Sequence, residues 1–231
     1  MTIGFKLLGN ILAEILLQPA YIISLLLNPL LSLSSTASRP TQRRPIVIIP
    51  GWFTSNLIFA LLKFRLERFG FRVYVPGLGL LLHDLKQDTI RLKAYFDSQD
   101  LHHVVLVGAS AGGLVSLDYL QNHNGWGRVD KFVSVAAPFR GIPPARATQF
   151  FSGSAKQMVP GSNYLQSINF PAISHQDKIV CLAAAHDQIV PRSSSFIPGA
   201  KREILPCAGH AYLQAVCPEV CARIARHSSI N

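Results

Sequence analysis

Val104-Val105-Leu106-Val107-Gly108-Ala109-Ser110-Ala111-Gly112-Gly113-Leu114-Val115 decides how this chain is read. Its first four residues are apolar and three of them are β-branched, the composition of a buried parallel strand. Leu114 to Leu120, after the glycines, carries a helical pattern. Between the two stands Gly-x-Ser-x-Gly. A turn this sharp drives its middle residue toward a strained backbone, and the flanking glycines remove side chains that would collide there. Ser110 is then presented at the sheet edge. An alcohol is a weak nucleophile near neutral pH, so the arrangement requires a neighbouring base and an acid that orients that base. The plainer alternative is a glycine-rich start to a helix, which binds phosphate or only turns a corner.

Outward from this stretch, strand-like and helix-like runs alternate from Pro45 onward, which predicts an α/β fold with a mostly parallel sheet and helices on both faces. Ile46 to Ile49 reads as the first strand, followed by a helix through about Phe69 and a strand from Arg72 to Val75. An apolar loop, Pro76 to His83, precedes a helix from Asp84 to Asp97. Beyond the central stretch come strands at Lys131 to Val135, Lys178 to Ala183 and Arg202 to Leu205, and a closing helix from Ala211 to Arg226. Residues 142–175 contain no long periodic run. A segment of that kind inside a compact domain usually builds part of a site or a lid, but leaves no room for a large cap domain.

The partners of Ser110 should emerge from loops at the carboxyl ends of later strands, where ligands of open α/β sheets bind. Asp187 lies just past the Lys178 strand and His210 just past the last one. The other aspartates fall in helices, ahead of the nucleophile or at the wrong ends of strands. Among eight histidines, His227 falls in the tail, His186 reads as a loop residue, and His83 could reach the rim of the site. The order Ser110, Asp187, His210 is the one expected on this kind of sheet. A developing oxyanion needs two preorganised donors. The Ala111 amide, next to the nucleophile, is one. Gly51 lets the loop after Ile49 approach closely, which assigns the second to the Trp52 amide, with Phe53 as the alternative.

From about Pro45 to His227 the chain resembles an α/β-hydrolase of the lipase and esterase kind, similar in pattern to small bacterial lipases. The residues that carry this are Ile46-Val47-Ile48-Ile49-Pro50-Gly51-Trp52, Gly108-Ala109-Ser110-Ala111-Gly112-Gly113, Pro138-Phe139-Arg140-Gly141, Met158-Val159-Pro160-Gly161-Ser162, Asp187-Gln188-Ile189-Val190-Pro191 and Gly209-His210. Pro50-Gly51 stands where such lipases usually have His-Gly, and Ala109 replaces the His or Tyr often found before the nucleophile. Both departures leave a backbone donor in place. The resemblance implies a serine hydrolase acting on carboxylic esters through an acyl-enzyme. Thioester or amide chemistry on the same residues, and a catalytically silent binding or scaffold role, are the alternative classes.

Trp52, Phe53, Leu78, Leu80, Leu81, Leu82, Phe139, Phe150 and Phe151 fall on loops expected around the mouth. Such a lining suits a lipid or other apolar ester. The chemistry requires no metal and no organic cofactor. Cys181, Cys207, Cys217 and Cys221 read as reduced apolar fillers, since no Cys-x-x-Cys pair supports a metal site.

The chain has 231 residues, of which 49% are hydrophobic, enough for one domain with an appendage. Its 22 basic and 12 acidic residues give a net charge of +10, which favours anionic partners. The basic residues are scattered apart from Arg39, Arg43 and Arg44, so a membrane surface is expected rather than nucleic acid. Residues 1–33 are almost entirely apolar, with Lys6, Asn10, Glu14 and Gln18 four apart and Pro19 interrupting the pattern. They read as a membrane-associating segment, with a helical arm packed on protein and a secretory signal as the other readings. A polar linker, 34–45, leads to the expected hydrolase domain, 46–228. If the segment is an anchor, the arginines after it favour a cytoplasmic domain; a signal would instead direct secretion. The oligomeric state is not encoded in any pattern of the chain.

Overall fold

The computed structural model describes residues 43–168 and 170–229. The expected membrane segment, 1–33, and residues 34–42 of the linker lie outside them.

Among the described residues six strands form one parallel sheet: β1 (Ile46–Ile49), β2 (Val73–Tyr74), β3 (Val104–Ala109), β4 (Val129–Val135), β5 (Ile179–His186) and β6 (Lys201–Ala208), in the order β2-β1-β3-β4-β5-β6. Successive side chains of a strand face opposite sides of a sheet, and here both sides are apolar. Val47, Ile49, Val104 and Leu106 face one cluster, which holds Leu85, Leu92 and Phe96 of α2 (Leu85–Ser98) and Leu114, Leu117 and Leu120 of α3 (Ala111–Asn122). Ile46, Ile48, Val105 and Val107 face the other, with Leu62 and Leu66 of α1 (Ala60–Arg68). Burial on both faces is why these strands read as continuous hydrophobic runs instead of alternating ones.

Between β4 and β5 the described helices are short, among them α4 (Ala145–Thr148), α5 (Gly153–Gln157) and α6 (Asn163–Gln166). The closing helix is two helices, a correction to the single run expected from Ala211 to Arg226. It divides into α7 (His210–Ala215) and α8 (Pro218–Ser228). Pro218 has no N–H to give an upstream carbonyl and its ring crowds the preceding turn, so it can only begin a helix. Both complete the second face of the sheet, with Leu213, Val220 and Ile224. His227, expected in the tail, lies in the last turn of α8 and bonds Glu203 of β6 at 2.8 Å.

The strand order reverses beside β1. The chain leaves β1 outward to β2, then returns past β1 to β3 and continues the other way. The loops after β1 and β3 therefore diverge and leave a crevice between them at the carboxyl ends of the strands. Pro50-Gly51-Trp52 and the turn at Ser110 occupy those two loops. None of the described helices is long and apolar enough to cross a membrane.

Candidate active site

Ser110 sits at φ +49° and ψ −124°, between the end of β3 and the first residue of α3. Few non-glycine residues adopt such a conformation, which costs on the order of 1–3 kcal/mol and persists only where packing enforces it. The enforcement is visible. Ser110 donates its N–H to Val135 O at 2.9 Å, and a Cβ on Gly108 would stand 2.6 Å from the Gly113 Cα. A Cβ on Gly112 would meet the Ile49 carbonyl oxygen at 2.3 Å. The glycines are thus demanded by the contact of strand, helix and the neighbouring β1 loop, more than by the turn alone.

Asp187 follows β5 directly and His210 opens α7, two residues after β6. The register of these two strands pairs His186 with Ala208 across an irregularity between Ala184 and His186, and Gly209 donates its N–H to His186 O at 2.9 Å. Residues 23 apart in sequence are thereby brought side by side. Asp187 Oδ2 lies 2.8 Å from His210 Nδ1, and Ser110 Oγ lies 3.1 Å from His210 Nε2. The structure brings all three expected side chains into one chain of hydrogen bonds.

Other contacts hold the array. Asp187 Oδ1 accepts the N–H groups of Ile189 and Val190 at 2.9 and 2.8 Å, and Gln188 Oε1 accepts the His210 N–H at 3.1 Å. Burial raises the Asp187 carboxyl, but the His210 hydrogen bond and charge, with the Val190 and Ile189 amides, outweigh it and hold the group below the ordinary carboxylate range. The Pro138-Phe139-Arg140-Gly141 loop is tied to the segment after Asp187. Arg140 Nη1 donates to the Ser193 and Phe196 carbonyls at 2.9 and 2.7 Å, and Ser194 Oγ donates to Gly141 O at 2.8 Å.

At the expected oxyanion position, Ala111 is the first residue of α3, where helix geometry leaves an amide without an intrahelical acceptor. Of the two amides considered after β1, that of Phe53 is committed to Leu80 O at 2.7 Å. Trp52 is fixed by its indole N–H, which donates to Ser152 Oγ at 3.0 Å, and by its carbonyl, which accepts from Thr54 Oγ1 at 3.1 Å.

Ser110 and His210 open onto a cavity of about 240 Å³. Trp52 and Phe53 line it as expected, but the other predicted lining residues do not. Leu78, Leu81 and Phe139 are buried in the core cluster beneath the sheet face, while Phe150 and Phe151 stand 84% and 90% exposed. The loop holding Leu78 to Leu82 is pulled inward by α5, whose Ser154 Oγ donates to the Leu81 carbonyl and whose cap Ser152 donates to that of Leu82 at 2.8 Å. His83 is exposed and does not line the cavity. Its other walls include Ile142, Ala145, Thr148, Met158, Ile189 and Gln214. Four of these six lie in 142–175, the segment singled out for its lack of periodicity. The wall is nonetheless apolar.

Gln214 was missed by sequence reasoning. Its side-chain amide Nε2 lies 2.7 Å from His210 Nε2. Starting the helix at His210 instead of Ala211 would have placed Gln214 one turn along the same face. All four cysteines are buried and outside any disulfide, and no group of three or more His, Cys, Asp or Glu side chains among the described residues could hold a metal.

No protein-family model matches the chain, and no curated protein matches it in sequence. Solved structures do match in three dimensions. The mature lipase of Bacillus licheniformis has a TM-score of 0.68 at 14% identity, covering 85% of this chain and 97% of the lipase. The ydeN product of B. subtilis gives 0.58 at 19% identity over 80% and 98%. An extracellular α/β-hydrolase of a Paenibacillus species gives 0.56 at 18% identity over 81% and 100%. The chain has the α/β-hydrolase fold.

Proposed function

We propose that this protein is a serine hydrolase that cleaves carboxylic esters with an apolar acyl portion. The observation that carries the reading is the hydrogen-bonded series Asp187, His210, Ser110 at the mouth of an apolar cavity. His210 Nε2 takes the Ser110 proton as Oγ bonds to the ester carbonyl carbon, and the Ala111 and Trp52 amides receive the oxyanion. Collapse of the intermediate breaks the bond to the leaving alcohol, which takes the proton from His210. Water, giving a proton to the same imidazole, then attacks the acyl carbon; the bond to Oγ breaks, Oγ takes the proton back from His210, and the carboxylic acid leaves. Asp187 remains ionised throughout and holds the ring in the tautomer that leaves Nε2 free to accept.

The fold shared with a lipase supports the ester assignment only in outline, and the apolar wall supports it further. Residues 1–33 and the net charge of +10 favour action at an anionic membrane surface. Fluorophosphonate labelling of wild type and Ser110→Ala, with hydrolysis of p-nitrophenyl esters, acyl-CoA and amides, tests the reading. We expect labelling of the wild type alone and a preference for esters. An unlabelled, folded wild type would favour a silent binding protein, and faster turnover of acyl-CoA would reassign the chemistry to thioesters. Co-sedimentation of the full chain with anionic vesicles, lost on removal of residues 1–40, tests the membrane part.

A further inference from the structure

Gln214 lies one turn after His210 on α7, is 1% exposed, and returns its amide to the ring that precedes it. Its Nε2 stands 2.7 Å from His210 Nε2, and Ser110 Oγ stands 3.1 Å from the same atom. A neutral imidazole that gives its Nδ1–H to Asp187 has a single lone pair in the ring plane, at Nε2. Two donors, an amide N–H and a hydroxyl, therefore converge on one acceptor.

That convergence has a direction. A hydrogen bond given to the neutral form of a base favours the neutral form. Once the ring takes a proton, Nε2 becomes a donor and the amide must turn its Oε1 toward it, so the contact in its present orientation holds only while the ring can accept. The groups that bond the ring are few among the described residues: the Asp187 carboxylate at Nδ1, and Ser110 and Gln214 at Nε2. Asp187 alone is charged, and it attracts the imidazolium. Gln214 opposes it from the other side of the ring.

We propose that Gln214 is a positioning residue that donates to the accepting nitrogen of His210 and fixes the ring edge against Ser110. The inference rests on the hydrolase reading for its consequence in catalysis, though not for the hydrogen bond itself. Sequence alone could not show it, because an i, i+4 pair on a short helix is more often simply packed.

The test uses Gln214→Met, which keeps the length and apolar bulk but removes the donor, and Gln214→Glu, which places a carboxylate where the amide stood. The pH dependence of kcat/KM on a p-nitrophenyl ester is measured alongside the ¹H NMR titration of the His210 ring, assigned by its loss in His210→Ala. In Gln214→Met both the acidic limb and the ring titration should move upward by about half a unit to one unit, the size expected for one lost hydrogen bond. Gln214→Glu should move them further in the same direction, with lost activity recovered as pH rises. Lowered plateaus with unmoved midpoints in both variants would make Gln214 mere packing and overturn the proposal. An inactive wild type whose ring titration still responds to both substitutions would sink the hydrolase reading and leave the hydrogen bond standing.

Discussion

A methyl group placed on Gly51 would stand 2.9 Å from the Cβ of Ser110. Real Cβ atoms do not approach so closely, and both atoms are attached to backbone that cannot swing aside. The turn after β1 thus lies directly against the turn after β3, across the crevice created by the reversal of strand order. In Gly51→Ala the two must separate by a few tenths of an ångström. We expect kcat/KM for p-nitrophenyl esters to fall about tenfold to a hundredfold, as for other small misplacements of reacting groups. Stability should drop by about 1–3 kcal/mol, the usual cost of overpacking. Kinetics equal to wild type would show that the β1 turn contributes nothing to the oxyanion.

The strain at Ser110 can be measured separately from its chemistry. Ser110→Ala and Ser110→Gly both remove the nucleophile, but only glycine tolerates φ +49° with ψ −124°. Urea denaturation should find Ser110→Gly more stable than Ser110→Ala by about 1 kcal/mol, the relief of strain less the extra entropy of unfolded glycine. Neither variant should react with a fluorophosphonate. An Ala variant as stable as the Gly one would mean that the turn imposes no strain.

Asp187→Asn should lower kcat by about 10⁴-fold, because an amide can hold the ring in the wrong tautomer. A stability signature accompanies this loss. The Asp187 carboxyl is held below its ordinary value in the folded protein, so its ionised form adds stability above the unfolded value of about 3.9 and that contribution disappears as pH falls through the depressed one. The stability difference between wild type and Asp187→Asn should therefore be constant from pH 7 to 5 and shrink below about pH 4. A difference independent of pH down to 2.5 would contradict the depressed carboxylate.

Thr148 is half-buried on α4 and lines the cavity. Thr148→Trp should fill space used by an acyl chain while leaving the reacting groups alone. The ratio of kcat/KM on the octanoate ester to that on the acetate ester should fall at least about tenfold, a typical value for a crowded apolar pocket. Phe151→Ser is the control: its ring is in solvent, so the ratio should hold and stability should change by less than about 0.5 kcal/mol. If Phe151→Ser alters the ratio and Thr148→Trp does not, the chain lies on the opposite side of the mouth.

The strands, the turn at Ser110 and the placement of Asp187 and His210 after later strands were all legible, because each leaves a local mark. A buried parallel strand is a run of β-branched residues, and a sharp turn into a helix shows its glycines. The end of β5 was less legible. The strand continues to His186, beyond Ala183, because its pairing with β6 carries it on and not because of its own composition. The closing helix is hard to read for a related reason: its apolar period continues across Pro218, and only the proline marks the break.

The order of residues along the chain fixes which of them are apolar, where the chain must turn, and which polar groups follow the carboxyl ends of the strands. It could not determine which apolar surface each side chain would meet. Leu78, Leu81 and Phe139 look no different in composition from Phe151, yet three are core and one is in water, because burial depends on neighbours supplied by distant segments. Ser152 and Ser154 draw the leucine loop inward, and no described residue covers Phe151. The same holds for Gln214, whose place beside His210 follows from where α7 begins and from which face it turns to the sheet. Only the tertiary structure decides such things, since a contact belongs to two segments and a sequence describes them one at a time.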